Sequence, residues 1–179
     1  MNIFVLDRSP AKSAQMLCDA HVVKMIVESA QLLSTHDRIT GRFKEPNCLY
    51  KPTHQSHPCR MCLCNYANRE WLICHLKALL DEYSFRYCKI HKSSVLFDIY
   101  YNHERIDYMT EAFSNGTLDY KCRFPKCMPN EFKVGGDDLD SVVLSYRKYY
   151  KHKQQTMKRF RYTNRDIPNW LKESNYEQH

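Results

Sequence analysis

Apolar residues recur at three- and four-residue spacings along most of this chain, and nowhere do they alternate in the two-residue rhythm of a strand. Met16, Leu17, Val22, Val23, Met25, Ile26, Val27, Leu32 and Leu33 surround nearly a whole helical circumference, which predicts a segment buried on most sides. Ser9-Pro10 supplies an N-cap and a first-turn proline, so this helix is expected from about Pro10 to Thr35, after a short extended arm at residues 1–8. Trp71, Leu72, Leu76, Leu79, Leu80 and Tyr83 predict a second long helix from Cys62 to His91, and Val95 to Ser114 reads as helical too. Leu139, Val142, Val143, Tyr146, Tyr149 and Tyr150 place a last helix at Leu139 to Lys158, capped by Asp137 and Asp138. Between these lie segments rich in Gly, Pro and Asn, at Arg38 to Pro58 and from the Asn115-Gly116 turn to Gly136. The expected fold is all-α: one compact domain over residues 1–179, of three to four helices with long irregular loops and a basic C-terminal extension at 159–179.

Charge narrows the range of partners. The net charge is +7, and from Ser141 to Arg165 the chain carries eight Lys or Arg and no acid, a distribution that suits phosphate. Nine cysteines, an odd number, with no signal peptide ahead of them, point to a reducing, intracellular and cytoplasmic setting. No apolar run is long enough for a membrane helix. The expected partner is therefore double-stranded DNA, with no membrane, and a monomer is expected.

Candidate chemistry sits on the first helix. At 100° per residue His21, Lys24 and Glu28 fall within about 60° of one another. A base, an amine and a carboxylate on one desolvated stripe suit proton transfer or amine chemistry near neutral pH. The same residues also fit a narrow solvated stripe with an i,i+4 Lys24/Glu28 pair, and His21 alone fits a core histidine.

Taken in order, several motifs resemble the phage-type pyrimidine dimer DNA glycosylases with abasic-site lyase activity, the endonuclease V family. They are Asp19-x-His21 followed by Glu28, Pro52-Thr53 with His57 before the second helix, Pro129-Asn130-Glu131-Phe132-Lys133, the basic pair Arg147 and Lys151 at i,i+4, and Pro168-Asn169-Trp170. The resemblance implies a DNA repair enzyme, hydrolase and lyase in one, of viral or phage type, acting on damaged duplex, UV-damaged duplex included, through a Schiff base. It implies Glu28 as catalytic carboxylate with His21 beside it, and DNA contacts from Arg147, Lys151 and His57. Lys133, Arg159 and Arg161 join that basic set by their charge. The nucleophile it implies is the terminal amine, that of Asn2 after methionine removal or of Met1 itself. An α-amine keeps a larger neutral fraction at pH 7 than an ordinary lysine, so Lys24 is the secondary candidate.

Two departures stand out. The arginines that flank the family's glutamate are replaced by Val27 and Gln31, and Asn2 is a poor signal for methionine removal. Two other readings stay open: a DNA-binding protein without catalysis, with or without zinc, and an enzyme modifying nucleobases or nucleotides. No cofactor is required by the first reading. Zinc would draw on His54, His57, Cys59 and Cys62, although contiguous ligand pairs close poorly into one tetrahedron. Cys122 and Cys127 are too loosely spaced to add to that set.

Overall fold

The structure, a computed structural model, describes residues 2–42, 49–103 and 122–172. The described residues contain no strand, and the protein is mainly helical, as its periodicity predicts. In chain order the helices are α1 (Pro10–Gln15), α2 (Asp19–Thr40), α3 (Pro58–Met61), α4 (Tyr66–Tyr87), α5 (Ser94–His103), α6 (Leu139–Thr156) and α7 (Asn169–Lys172). Helix α4 packs against both α1 and α2. Its Trp71, Leu72, Leu76 and Leu79 are fully buried, as are Val22, Ile26 and Leu33 of α2. No described helix is long and apolar enough to cross a membrane.

The expected arm at the N-terminus is extended, and Ile3, Phe4, Val5 and Leu6 are all buried. Without a sheet partner, its backbone groups must find side chains. Leu6 N–H donates to Ser13 Oγ at 3.0 Å, and that hydroxyl donates in turn to Phe4 O at 3.0 Å. Arg147 of α6 donates to Leu6 O at 2.7 Å, and the Trp71 indole of α4 donates to Arg8 O at 2.7 Å. The arm is thus clasped between α1, α4 and α6.

The expected helix from Pro10 to Thr35 is two helices. Pro10–Gln15 ends at Met16, and the chain restarts at Asp19 with Cys18 as an extended N-cap. Arg86 causes the interruption to be stable: from α4 it donates to Gln15 O at 3.0 Å and Leu17 O at 2.8 Å, satisfying carbonyls that α1 leaves open, and it pairs with Asp19 at 3.0 Å. Helix α2 then continues past Thr35 to a left-handed Gly41, with φ of 65°. The second expected helix is divided as well. α3 and a 3-10 turn at Cys62–Cys64 precede Asn65, whose side chain caps α4 by accepting from Ala67 N–H. It ends at Tyr87 rather than His91, with Cys88 left-handed. The last helix ends at Thr156, close to expectation. Asn115-Gly116 and the end of the helix expected at Val95 to Ser114 lie outside the described residues.

Candidate active site

Glu28 lies on α2 where the arm crosses it. The backbone nitrogen of Asn2 donates to Glu28 Oε2 at 3.0 Å, while Lys24 Nζ stands 3.6 Å from Oε1. The carboxylate side chain is 14% exposed and that of Lys24 62% exposed, so the acid is largely withdrawn from water and the amine is not. Met1 lies outside the described residues.

Asn2 is held by its own side chain. Its Nδ2 donates to Cys127 O at 3.0 Å, and its Oδ1 lies 2.8 Å from the Tyr146 hydroxyl, which also meets Pro125 O at 2.9 Å. Tyr146 comes from α6 and is fully buried. Two distant parts of the chain, the loop at residues 125–127 and α6, therefore fix the position of one backbone nitrogen against Glu28. Tyr146 reads in the sequence only as a core tyrosine, and Cys127 as a residue of a loose loop; no local pattern signals that they meet residue 2.

His21 shares the helix with Glu28 but has other partners. Its Nδ1 lies 2.9 Å from the Tyr150 hydroxyl, and its ring stacks on Phe4 at 4.7 Å. Burial, reinforced by Lys24 and Lys153, lowers its pKa from 6.5 to about 4. Burial thus favours the uncharged ring, which packs beside the arm. Tyr150 accepts from Cys18 N–H at 2.8 Å, which leaves its proton for His21 Nδ1.

His75, buried on α4 against Pro10 O, is lowered in the same way to about 4. A fold that favours neutral imidazole gains stability fully present above about pH 6.5 and lost as pH falls toward 4. Urea midpoints should therefore drop across that interval, each histidine withdrawing up to about 3 kcal/mol at the acid end. His21→Phe should flatten the profile; an unchanged slope in that variant, or a flat profile in the parent chain, would contradict the assignment.

The expected DNA-binding residues separate into two groups. Arg147 is 28% exposed, donates to Leu6 O, pairs with Asp7 at 3.3 Å and lies over the Trp170 ring at 5.3 Å. It clasps the arm. Arg165, from the same acid-free run, is bound to Glu82 at 2.5 Å. Lys133, Arg159 and Arg161 are exposed, and Lys151 is half-buried. Lys133 donates to Asn130 Oδ1 at 2.9 Å, in the turn whose Phe132 packs on Tyr149. Lys153, over the Tyr149 ring at 4.9 Å, adds a cation on this side of α6. His57 is half-buried, and burial lowers its pKa below the usual 6.5. Val27, in the slot where the resemblance leads one to expect arginine, lines a groove with Tyr50, Tyr83, Ile90 and His91.

Of the expected metal ligands, His57 and Cys59 come together, but His54 is not with them. Its Nδ1 bonds Thr53 Oγ1 at 2.7 Å, and its backbone is left-handed at φ of 49°. Cys127 takes the place instead. The ligand atoms of His57, Cys59 and Cys127 all lie within 4.8 Å of one another. Cys59 Sγ donates to Cys127 Sγ at 3.5 Å, a bond that draws the Cys127 pKa down to about 7.

An extended N-terminal arm laid over a helical core thus sets the Asn2 nitrogen against a shielded glutamate, with basic side chains along α6. A family model described as pyrimidine dimer DNA glycosylase matches residues 1–94, which include the arm, Glu28 and His57. The chain belongs to the pyrimidine dimer DNA glycosylase family, a family of DNA repair whose substrate is DNA. No curated protein and no solved structure matches it. The Pro129–Lys133 turn, the Arg147/Lys151 pair and Pro168–Trp170 lie beyond the matched residues.

Proposed function

We propose that the chain excises a damaged base from double-stranded DNA and then cleaves the strand as an abasic-site lyase, with the terminal amine as nucleophile and Glu28 as its acid-base partner. The 3.0 Å contact between the Asn2 nitrogen and Glu28 Oε2 carries this reading. Once Met1 is removed, that nitrogen is a primary amine already in place. The Asn2 side chain suits this position because its amide supplies both the donor for Cys127 O and the acceptor for Tyr146.

In the first step the neutral amine forms a bond to C1′ as the bond from C1′ to the base breaks, and the departing base takes a proton from water. Glu28 accepts the proton that the amine loses and stabilises the positive charge that builds on the sugar as the base departs. The sugar ring then opens to an iminium ion as the protonated Glu28 returns its proton to the ring oxygen. Loss of a C2′ proton then expels the 3′ phosphate, and water releases the enzyme from the sugar. Lys24, exposed and on the second carboxylate oxygen, is placed to meet a phosphate and lacks the burial that an amine nucleophile needs. Lys133, Lys153, Arg159 and Arg161 add cationic surface for the backbone, which positions the duplex without reading its sequence.

The base must leave the stack to be attacked, at a cost of a few kcal/mol that damage reduces. The groove beside Val27 presents tyrosine and histidine rings at a slot where arginine would grip phosphate, which favours stacking as the local contact.

Borohydride trapping on abasic and UV-irradiated duplex tests the proposal. The expected result is a covalent adduct that survives Lys24→Ala, disappears after selective N-terminal acetylation, and maps by mass spectrometry to Asn2. Absence of an adduct on every damaged duplex, with DNA binding intact, would leave a binding protein in its place.

A further inference from the structure

We propose that His57, Cys59 and Cys127, closed by Cys62, form a site for a borderline-soft divalent ion, of which zinc is the type. The three side chains reach one point from two distant segments, and their ligand atoms lie within 4.8 Å of one another. The Cys59 and Cys127 sulfurs are 3.5 Å apart. A tetrahedral ion with bonds of about 2.3 Å to sulfur and 2.0 Å to nitrogen sets its ligands roughly 3.5–3.8 Å from each other, so little movement is needed.

Cys62 follows Cys59 at the C-x-x-C spacing on the turn after α3, where its thiol donates to Cys59 O at 3.2 Å, and this spacing makes it the residue to supply a fourth ligand. His57 Nδ1 accepts from Cys59 N–H at 3.1 Å, and this weak cap is what coordination through that nitrogen would exchange for a metal bond. The thiol protons pass to solvent as the ion binds.

The backbone around the site is already fixed. Cys127 N–H points to the Tyr146 hydroxyl at 3.4 Å, and Cys127 O accepts from Asn2. An ion here would join the loop at residues 122–128 to α3, directly beneath the residue that carries the nitrogen facing Glu28. A disulfide between Cys59 and Cys127 would use only two of the four groups and leave His57 and Cys62 without a part. The inference concerns ion binding alone and does not depend on the glycosylase reading.

The untagged full-length chain, reduced and loaded with zinc, should retain about one ion per molecule after gel filtration. Its cobalt form should show the intense sulfur-to-metal charge-transfer band and the strong visible bands of a tetrahedral thiolate site. Cys59→Ser and Cys127→Ser should each weaken zinc retention by at least roughly tenfold, whereas Cys88→Ser, exposed at the end of α4, should not. The cobalt spectrum is read on the parent chain and holds whether or not the variants fold. Substoichiometric zinc, a cobalt spectrum without the thiolate band, or a Cys59–Cys127 disulfide formed in preference to ion binding under the reducing load would each overturn the site.

Discussion

Glu28→Gln is expected to lower base excision by roughly 10²–10⁴-fold while leaving the fold intact. Glutamine keeps the size of the side chain and an oxygen to accept from the Asn2 nitrogen, so the arm has no reason to leave α2. What it loses is the capacity to take a proton from the amine and the negative charge that stabilises a positive sugar. The structural cost is small because the charged partner, Lys24, is largely exposed and such a pair contributes about 0–1 kcal/mol. The two effects can be separated by single-turnover excision on a damaged duplex, read beside the urea midpoint. Excision within about threefold of the parent would remove Glu28 from the chemistry. A large fall in midpoint would instead mean that the carboxylate anchors the arm. Lys24→Ala is the matched control, since it leaves the acid in place and exposes only its second oxygen.

The periodic signal conveyed the helical class and the long core helices, because apolar residues on one helix report a local geometry. It failed where distant side chains decide a boundary. Nothing near Met16 indicates that the first helix stops there; the stop is stabilised by Arg86, about seventy residues on, which fills the open carbonyls of Gln15 and Leu17. The basic run meets partners from distant elements for a similar reason. An absence of acids between Ser141 and Arg165 says nothing about acids elsewhere, and Asp7 and Glu82 come from other elements to pair with Arg147 and Arg165.

The stripe on α2 was legible in part. Lys24 and Glu28 are adjacent as their spacing requires, whereas His21 turns out to belong to the aromatic layer of Phe4 and Tyr150. The meeting of Asn2 with Glu28 follows from the family resemblance as an expectation, but the means of holding it does not. Tyr146 and Cys127 lie more than a hundred residues away in sequence, and only tertiary packing brings them to the asparagine amide.

Arg69→Ala should be the most damaging single change to stability, at about 3–5 kcal/mol. Arg69 is buried on α4 and donates to both oxygens of Asp37 on α2, at 3.1 and 3.2 Å, and to Glu70 at 3.1 Å. The Tyr100 hydroxyl of α5 completes the Asp37 carboxylate at 2.9 Å. Removing the guanidinium takes the cation from two buried carboxylates, one on α2 and one on α4. Against a typical total of about 5–15 kcal/mol, such a loss threatens folding at physiological temperature. Urea unfolding of the parent and the variant at pH 7 measures the loss, and Asp37→Asn placed on the Arg69→Ala background should recover part of the deficit. A deficit below about 1 kcal/mol, typical of exposed pairs, would show that the network is no more than a surface contact. The same measurement bears on the active site, because Asp37 lies on the helix that carries Glu28: when the grip of α4 on α2 weakens, the carboxylate loses its fixed position under the arm. Excision at a temperature where Arg69→Ala is still folded should therefore fall further than binding to undamaged duplex, since binding rests on exposed cations and excision on the alignment of one carboxylate with one amine.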